Sequence, residues 1–146
     1  MKAGYFGIGI LHAKTETNVG TLWRSAAILG ASFIFTIGRR YKHQSSDTLK
    51  TYRNIPLFHY DTFDQFYENL PHDCQLIGVE LDETAVPVSE FQHPKRAVYL
   101  LGAEDNGLTR EAIEKSHKLV QLPGEQCLNV AVAGSLIMYD RLIVKP

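Results

Sequence analysis

Apolar residues fall along this chain in short blocks separated by polar or glycine-marked turns. Tyr5 to Leu11 (YFGIGIL) is apolar on both parities, the pattern of a strand covered on two faces in a parallel sheet. Ser32 to Ile37 (SFIFTI), Ile55 to Tyr60, Cys74 to Glu80 (CQLIGVE), Ala97 to Leu101 (AVYLL) and Lys118 to Leu122 read as further strands. Between them the period lengthens. Val19, Leu22, Trp23, Ala26, Ala27 and Gly30 recur at helical spacing behind Asn18, which stands where an N-cap is expected. A second helix starts at Asp61 or Thr62 and ends near Leu70–Pro71, and a third runs from a Thr109 cap through Ser116. Leu81 to Pro94 reads as loop, with a turn at Val86–Pro87 and one helical turn at Ser89–Glu90–Phe91. Asn129 to Val144 is the closing helix, apolar around most of its girth, which predicts burial on more than one side, by its own sheet and by a second subunit. Strands alternating with helices through short connections predict an α/β fold with a parallel sheet flanked by helices. No repeat or internal boundary divides the sequence, and 1–146 reads as one domain.

Composition narrows the picture without changing it. The 146 residues are 45% hydrophobic, enough for one core and not two, and 21% charged, which gives no sign of disorder. Cys74 and Cys127 cannot make a disulfide framework, and the first residues, MKAGYFGIGILH, lack a signal-peptide pattern. No stretch approaches 18 uninterrupted apolar residues. The expectation is a soluble cytoplasmic protein with no membrane partner. Net charge is −1, yet it is segregated. Gly38 to Asn54 carries Arg39, Arg40, Lys42, Lys50 and Arg53 against Asp47, a local +4 that leaves −5 on the rest. A basic, aromatic-containing loop on an acidic body suits phosphate contacts, so these five cations are the candidate RNA-binding residues.

Several familiar chemistries drop out. Gly4, Gly7 and Gly9 invite a dinucleotide reading, but no glycine follows at the third required position, and close packing explains them better. There is no GxxxxGK[ST] and no GxSxG. Six histidines and two distant cysteines show no metal-ligand spacing, so no metal is expected. Cys127 precedes a helix and is conceivable as a nucleophile, although a small packing residue is the preferred reading. What remains is the set of strand ends. Val79 runs into ELDETA, Leu101 into GAEDNG and Leu122 into PGEQCLN. Ligands of open α/β sheets bind beyond such carboxyl ends, and Gly102, Gly107 and Gly124 free the backbone to bend toward one. An adenosine-type cofactor suits a pocket of apolar side chains and exposed backbone groups. Arg24 lies off the apolar stripe of its helix, with Gly20 one turn before it on the same face, which leaves room for something large.

Three blocks carry a family resemblance. NVGTLWRSA (Asn18 to Ala26) matches an Asn-x-Gly-x-x-x-Arg pattern, LLGAEDNGL (Leu100 to Leu108) is similar to a Gly-x-Glu-x-x-Gly-Leu block, and QLPGEQCLNVAVAGSLIMYD (Gln121 to Asp140) is similar to an Ile-Pro … Ser-Leu-Asn-Val block. In order and spacing they resemble the signature motifs of the SpoU/TrmH family of RNA ribose methyltransferases, within the SPOUT superfamily. The resemblance implies a C-terminal deep trefoil knot, S-adenosylmethionine held in the knot, and a homodimer with substrate groups from both subunits near each cofactor. It assigns Arg24, Asn18, Glu104 and Asn129 to catalysis. Gly102, Leu122 and Leu128, with Leu101, Ala103 and Cys127 beside them, line the cofactor, and Val79 or Glu80 closes the adenine side. Two departures stand out: Cys127 occupies a position where many relatives have serine, and the Pro123–Cys127 loop is short. Extensions that many relatives carry are nearly absent, so grip on RNA is expected from the basic loop, the dimer surface or a partner. The implied reaction is in-line methyl transfer to a ribose 2′-hydroxyl, on transfer RNA in preference to ribosomal RNA. A catalytically silent RNA-binding dimer and a base methyltransferase are the rival readings.

Overall fold

The computed structural model describes residues 4–41, 55–103 and 106–146. Its strands are Tyr5–Leu11 (β1), Phe33–Ile37 (β2), Leu57–Tyr60 (β3), Gln75–Val79 (β4), Val86–Pro87 (β5), Arg96–Gly102 (β6) and Lys118–Gln121 (β7). They form one sheet in the order β3-β2-β1-β6-β4-β7-β5, and every pairing is parallel. Helices Glu16–Ile28 (α1), Phe63–Glu68 (α2), Arg110–Lys115 (α3) and Val130–Tyr139 (α4) cover its faces, and a π-helical turn at Asp140–Val144 continues α4.

Side-chain alternation explains why β1 is apolar on both parities. Its even positions, Phe6, Ile8 and Ile10, pack with Val19, Leu22, Trp23 and Ala26 of α1 and with Ala131, Ile137 and Met138 of α4. The opposite face joins Leu11, Phe33, Phe35, Leu76, Val98 and Leu100 to Phe63, Phe66 and Ala112 of α2 and α3. Gly7 and Gly9 lie beside Phe33 and Phe35 in register. A Cβ at either glycine would lie 2.2 or 2.4 Å from the adjacent phenylalanine ring, so these glycines serve packing, as expected from the sequence.

Three local expectations change. The N-cap of α1 is Thr15, whose hydroxyl accepts from Asn18 N at 3.3 Å. The helix therefore begins before Asn18, and that amide side chain is released for another contact. Val86–Pro87, read as a turn, is a two-residue strand paired with β7. It sits at the sheet edge, where proline's missing N–H is tolerated. The closing helix is α-helical through Tyr139 and π-helical from Asp140. One side of it is buried as expected, but Val132, Leu136, Tyr139 and Ile143 remain 43–50% exposed.

At the N-terminal ends of the strands a polar chain fastens this closing segment. Arg141, 3% exposed, donates to the carbonyls of Pro94 and Lys95 and to the Tyr99 hydroxyl. With that hydroxyl accepting from Arg141, its own proton goes to His93 Nδ1 at 2.7 Å, and His93 Nε2–H donates to Asp140 at 2.6 Å. Lys145 closes the chain on Asp140, also at 2.6 Å. Burial pushes the Tyr99 hydroxyl up to about 12. Burial also lowers His93, with Asp140 opposing and Arg141 and Lys145 reinforcing the shift.

Candidate cofactor pocket and substrate helix

The carboxyl ends of β4, β6 and β7 converge on an open pocket that encloses, together with the solvent at its mouth, about 520 Å³. Val79, Glu80, Leu101, Gly102, Ala103, Leu122, Cys127 and Leu128 all line it, so the structure brings together every residue named from sequence as cofactor-lining. Leu81, Gly107, Pro123, Gln126, Val130 and Ala133 complete the wall. Val130 and Ala133 come from the closing helix, whose apolar girth left its pocket-facing side open in the sequence, and Leu81 and Gln126 carried no sequence signal.

Backbone dictates the shape of this pocket. Beyond β6, Gly107 N donates to Ala103 O at 2.8 Å. A Cβ on Gly102 would stand 2.2 Å from the Gly107 carbonyl carbon, a clash only glycine avoids. Gly107 has φ +63, and a Cβ there would meet a Glu80 carboxylate oxygen at 2.5 Å. That carboxylate accepts from Leu108 N at 2.5 Å and from Leu81 N at 3.2 Å. Glu80 thus has a structural role, because it ties the loop after β6 to the end of β4. Cys127 is exposed at the rim.

Asn129 opens α4. Its Oδ1 accepts from Ala131 N and Val132 N at 2.9 and 3.2 Å, which fixes the amide orientation. Its Nδ2 then donates to Asn18 Oδ1 at 3.0 Å, across 111 positions of sequence. The first and third sequence blocks therefore touch at the pocket mouth. Arg24, on the same helix as Asn18, is exposed and makes no hydrogen bond or ion pair among the described residues. It lies six positions beyond Asn18, roughly 9 Å along the axis and about 120° around it, so the two face different ways. Arg39 and Arg40 are exposed, and Arg39 donates to the Lys14 carbonyl. Glu104, Lys42, Lys50 and Arg53 lie outside the described residues. Among those described, no group of three His, Cys, Asp or Glu could hold a metal ion.

Comparison with known families now decides the lineage. The model of the SpoU rRNA Methylase family matches residues 7–139. The chain belongs to the SpoU family. This SpoU-family chain is 32% identical over 69 residues to the tRNA (guanosine(18)-2′-O)-methyltransferase of Escherichia coli K12, covering 45% of the chain and 30% of that protein. It spans no more than 30% of the length of the curated relatives it matches. A solved structure from work on the 2-OH methylation of C/U34 on tRNA superposes with TM-score 0.80 over 95% of each chain, at 22% identity. The AdoMet-bound rRNA methyltransferase of Sinorhizobium meliloti does so with TM-score 0.81, covering 94% of this chain and 56% of that one, at 23% identity. At these identities the likeness is one of fold, and it agrees with the parallel α/β sheet read from the sequence.

Proposed function

We propose that this SpoU-family chain is an S-adenosylmethionine-dependent methyltransferase acting on a ribose 2′-hydroxyl of RNA, transfer RNA before ribosomal RNA, as a single-domain cytoplasmic homodimer without a metal. The observation behind this reading is the Asn18–Asn129 amide pair, which sets a residue of the first block at the rim of the pocket. The pocket's chemistry fits the cofactor. Leu101, Leu122, Leu128 and Val130 offer apolar contact to an adenine, and the backbone bared at Gly102 and Gly107 can read its edge. The trefoil crossing belongs to the same proposal: β7 inserts between β4 and β5, both earlier in the chain, before α4 leads away.

When bound, S-adenosylmethionine supplies a methyl group on a good leaving group, so the residues of the chain mainly align and desolvate. Arg24 holds the phosphate next to the target ribose and stabilises charge on the 2′-oxygen. Its part is electrostatic and not that of a base, and the proton passes to phosphate or water. Asn18 is set by Asn129 and orients the ribose. Glu104, in the second block, keeps the role that the family motif gives it. The roughly 120° between Asn18 and Arg24 is accommodated by a dimer in which Arg24 serves across the interface. Leu128, Val132, Leu136, Tyr139 and Ile143 recur every three or four residues as an exposed apolar stripe, and a second copy is the occupant that suits it. Arg39, Arg40, Lys42, Lys50 and Arg53 give salt-dependent grip on the RNA backbone.

Titration calorimetry with S-adenosylmethionine, run beside a methyl-transfer assay, tests the division of labour. Arg24→Ala should abolish transfer and leave cofactor affinity within about twofold. Collapse of both together would refute these roles, and absence of binding heat in the unsubstituted protein would favour a silent RNA-binding dimer.

A further inference from the structure

Tyr41 and Ile55, the described residues on either side of positions 42–54, are held by one side chain. Trp23 Nε1–H donates to the Ile55 carbonyl at 3.0 Å. The Trp23 ring meets Tyr41 edge to face, with centroids 5.8 Å apart at 83°. Trp23 itself is 7% exposed and fixed in the core, with Tyr41 and Ile55 packed against it from outside. Its sequence neighbour is Arg24.

The Tyr41 hydroxyl also reaches Gly20. A Cβ built there would lie 3.5 Å from the Tyr41 hydroxyl, so the phenol stands over the bare patch of α1 that the sequence left open for a ligand. Gly20 and Arg24 are one turn apart, with Cβ positions about 5–6 Å from each other on one face. The Tyr41 hydroxyl is therefore within the sweep of the Arg24 side chain. Arg39, two residues earlier, donates to the Lys14 carbonyl and ties this segment to the turn before α1. Arg40 between them is exposed and makes no hydrogen bond or ion pair among the described residues. A half-buried tyrosine and a glycine floor thus share the face of α1 that carries Arg24, with the tyrosine posted on a rigid indole.

We propose that Tyr41 is a substrate-contacting residue that meets the RNA nucleotide held by Arg24, and that Trp23 is the positioning residue that sets it. The inference rests on the RNA reading above and assigns a residue outside its three sequence blocks. A phenol suits an unpaired nucleotide, because the ring can stack on a base and the hydroxyl can bond to phosphate or ribose. A purely packing role would make Tyr41 a cover for Trp23, felt in stability alone.

Trp23 is the sole tryptophan of the chain, so intrinsic fluorescence reports on this place. Titration with total transfer RNA should shift or quench its emission. Tyr41→Ala should raise the RNA dissociation constant and KM at least tenfold, with cofactor affinity within twofold. Tyr41→Phe, which keeps the ring, should lose less, and Trp23→Phe, which keeps an aromatic ring but not the bond to Ile55, should raise KM more than it lowers kcat. RNA that binds without moving the emission, together with a Tyr41→Ala KM within twofold of the unsubstituted value, overturns the proposal. RNA-dependent emission and a Tyr41→Ala binding defect without methyl transfer would uphold it while removing the enzymatic reading.

Discussion

Asn129 acts in two directions at once. One end of its amide caps α4 and the other reaches Asn18, so helix capping and the joining of two distant blocks depend on one side chain. The two roles can be separated. Serine also caps helices well but is too short to reach Asn18, whereas alanine does neither. Asn129→Ser is thus expected to keep the melting temperature while lowering methyl transfer at least tenfold. Asn129→Ala should add a stability loss of about 1 kcal/mol, measured by denaturant unfolding. Equal stability losses in both variants, with activity intact in the serine form, would show that the Asn18 contact is incidental. At this scale the sequence was legible wherever a residue type is demanded by its backbone. Gly102 and Gly107 are examples, since neither place admits a Cβ. It was less legible where the demand comes from a distant partner. The roles of Glu80 on Leu108 N and of Tyr41 above Gly20 depend on contacts across 28 and 21 positions, which no local spacing reports.

Among the elements, α4 and its π-helical continuation invite the clearest tests. The stripe through Val132, Leu136 and Tyr139 is exposed although the helix is apolar nearly all round, a pattern expected of a face that another chain covers. Leu136→Asp would place a charge in the middle of it. Sedimentation should show the unsubstituted protein as a dimer and the variant as a folded monomer with little transfer activity; a monomer in both would remove the dimer. The other end of the closing segment carries a pH dependence of known sign. Unfolded histidine takes a proton near 6.5, whereas buried His93, facing Tyr99, Asp140, Arg141 and Lys145, resists it. The unfolded chain then binds more protons, and stability falls as pH drops below about 6.5. Tyr99 holds its proton to about 12 against 10 for the free group, so stability also falls as pH rises from 10 toward 12. Melting curves across pH should show both limbs, the acid one shallower in His93→Gln.

Elements were also where periodicity succeeded and failed for physical reasons. Six strands follow from apolar blocks, clearest in β1, β2, β4 and β6, whose side chains are covered on both faces, and the four helices follow from apolar spacing or from their caps. The seventh strand escaped because two residues, one of them proline, make no pattern. The start of α1 was misplaced because Thr15 and Asn18 are both good caps, and the hydroxyl three residues earlier won.

For the molecule as a whole, the parallel sheet sets one working end, and the chain places its glycine loops there and its buried Arg141 network at the other. Charge is segregated along the sequence, with +4 concentrated between Gly38 and Asn54 on a chain of net −1. Binding to RNA should accordingly weaken steeply with salt, while binding of the cofactor, which depends on apolar contact and backbone, should not. Everything proposed for the residues and elements depends on the reaction itself. The decisive assay incubates the protein with methyl-deuterated S-adenosylmethionine and with transfer or ribosomal RNA, followed by nucleoside mass spectrometry. Deuterium is expected in a 2′-O-methylnucleoside from transfer RNA, at a linkage that resists alkali, and is expected to be absent with Arg24→Ala. Label on a base, or no label in either RNA, would contradict the assignment.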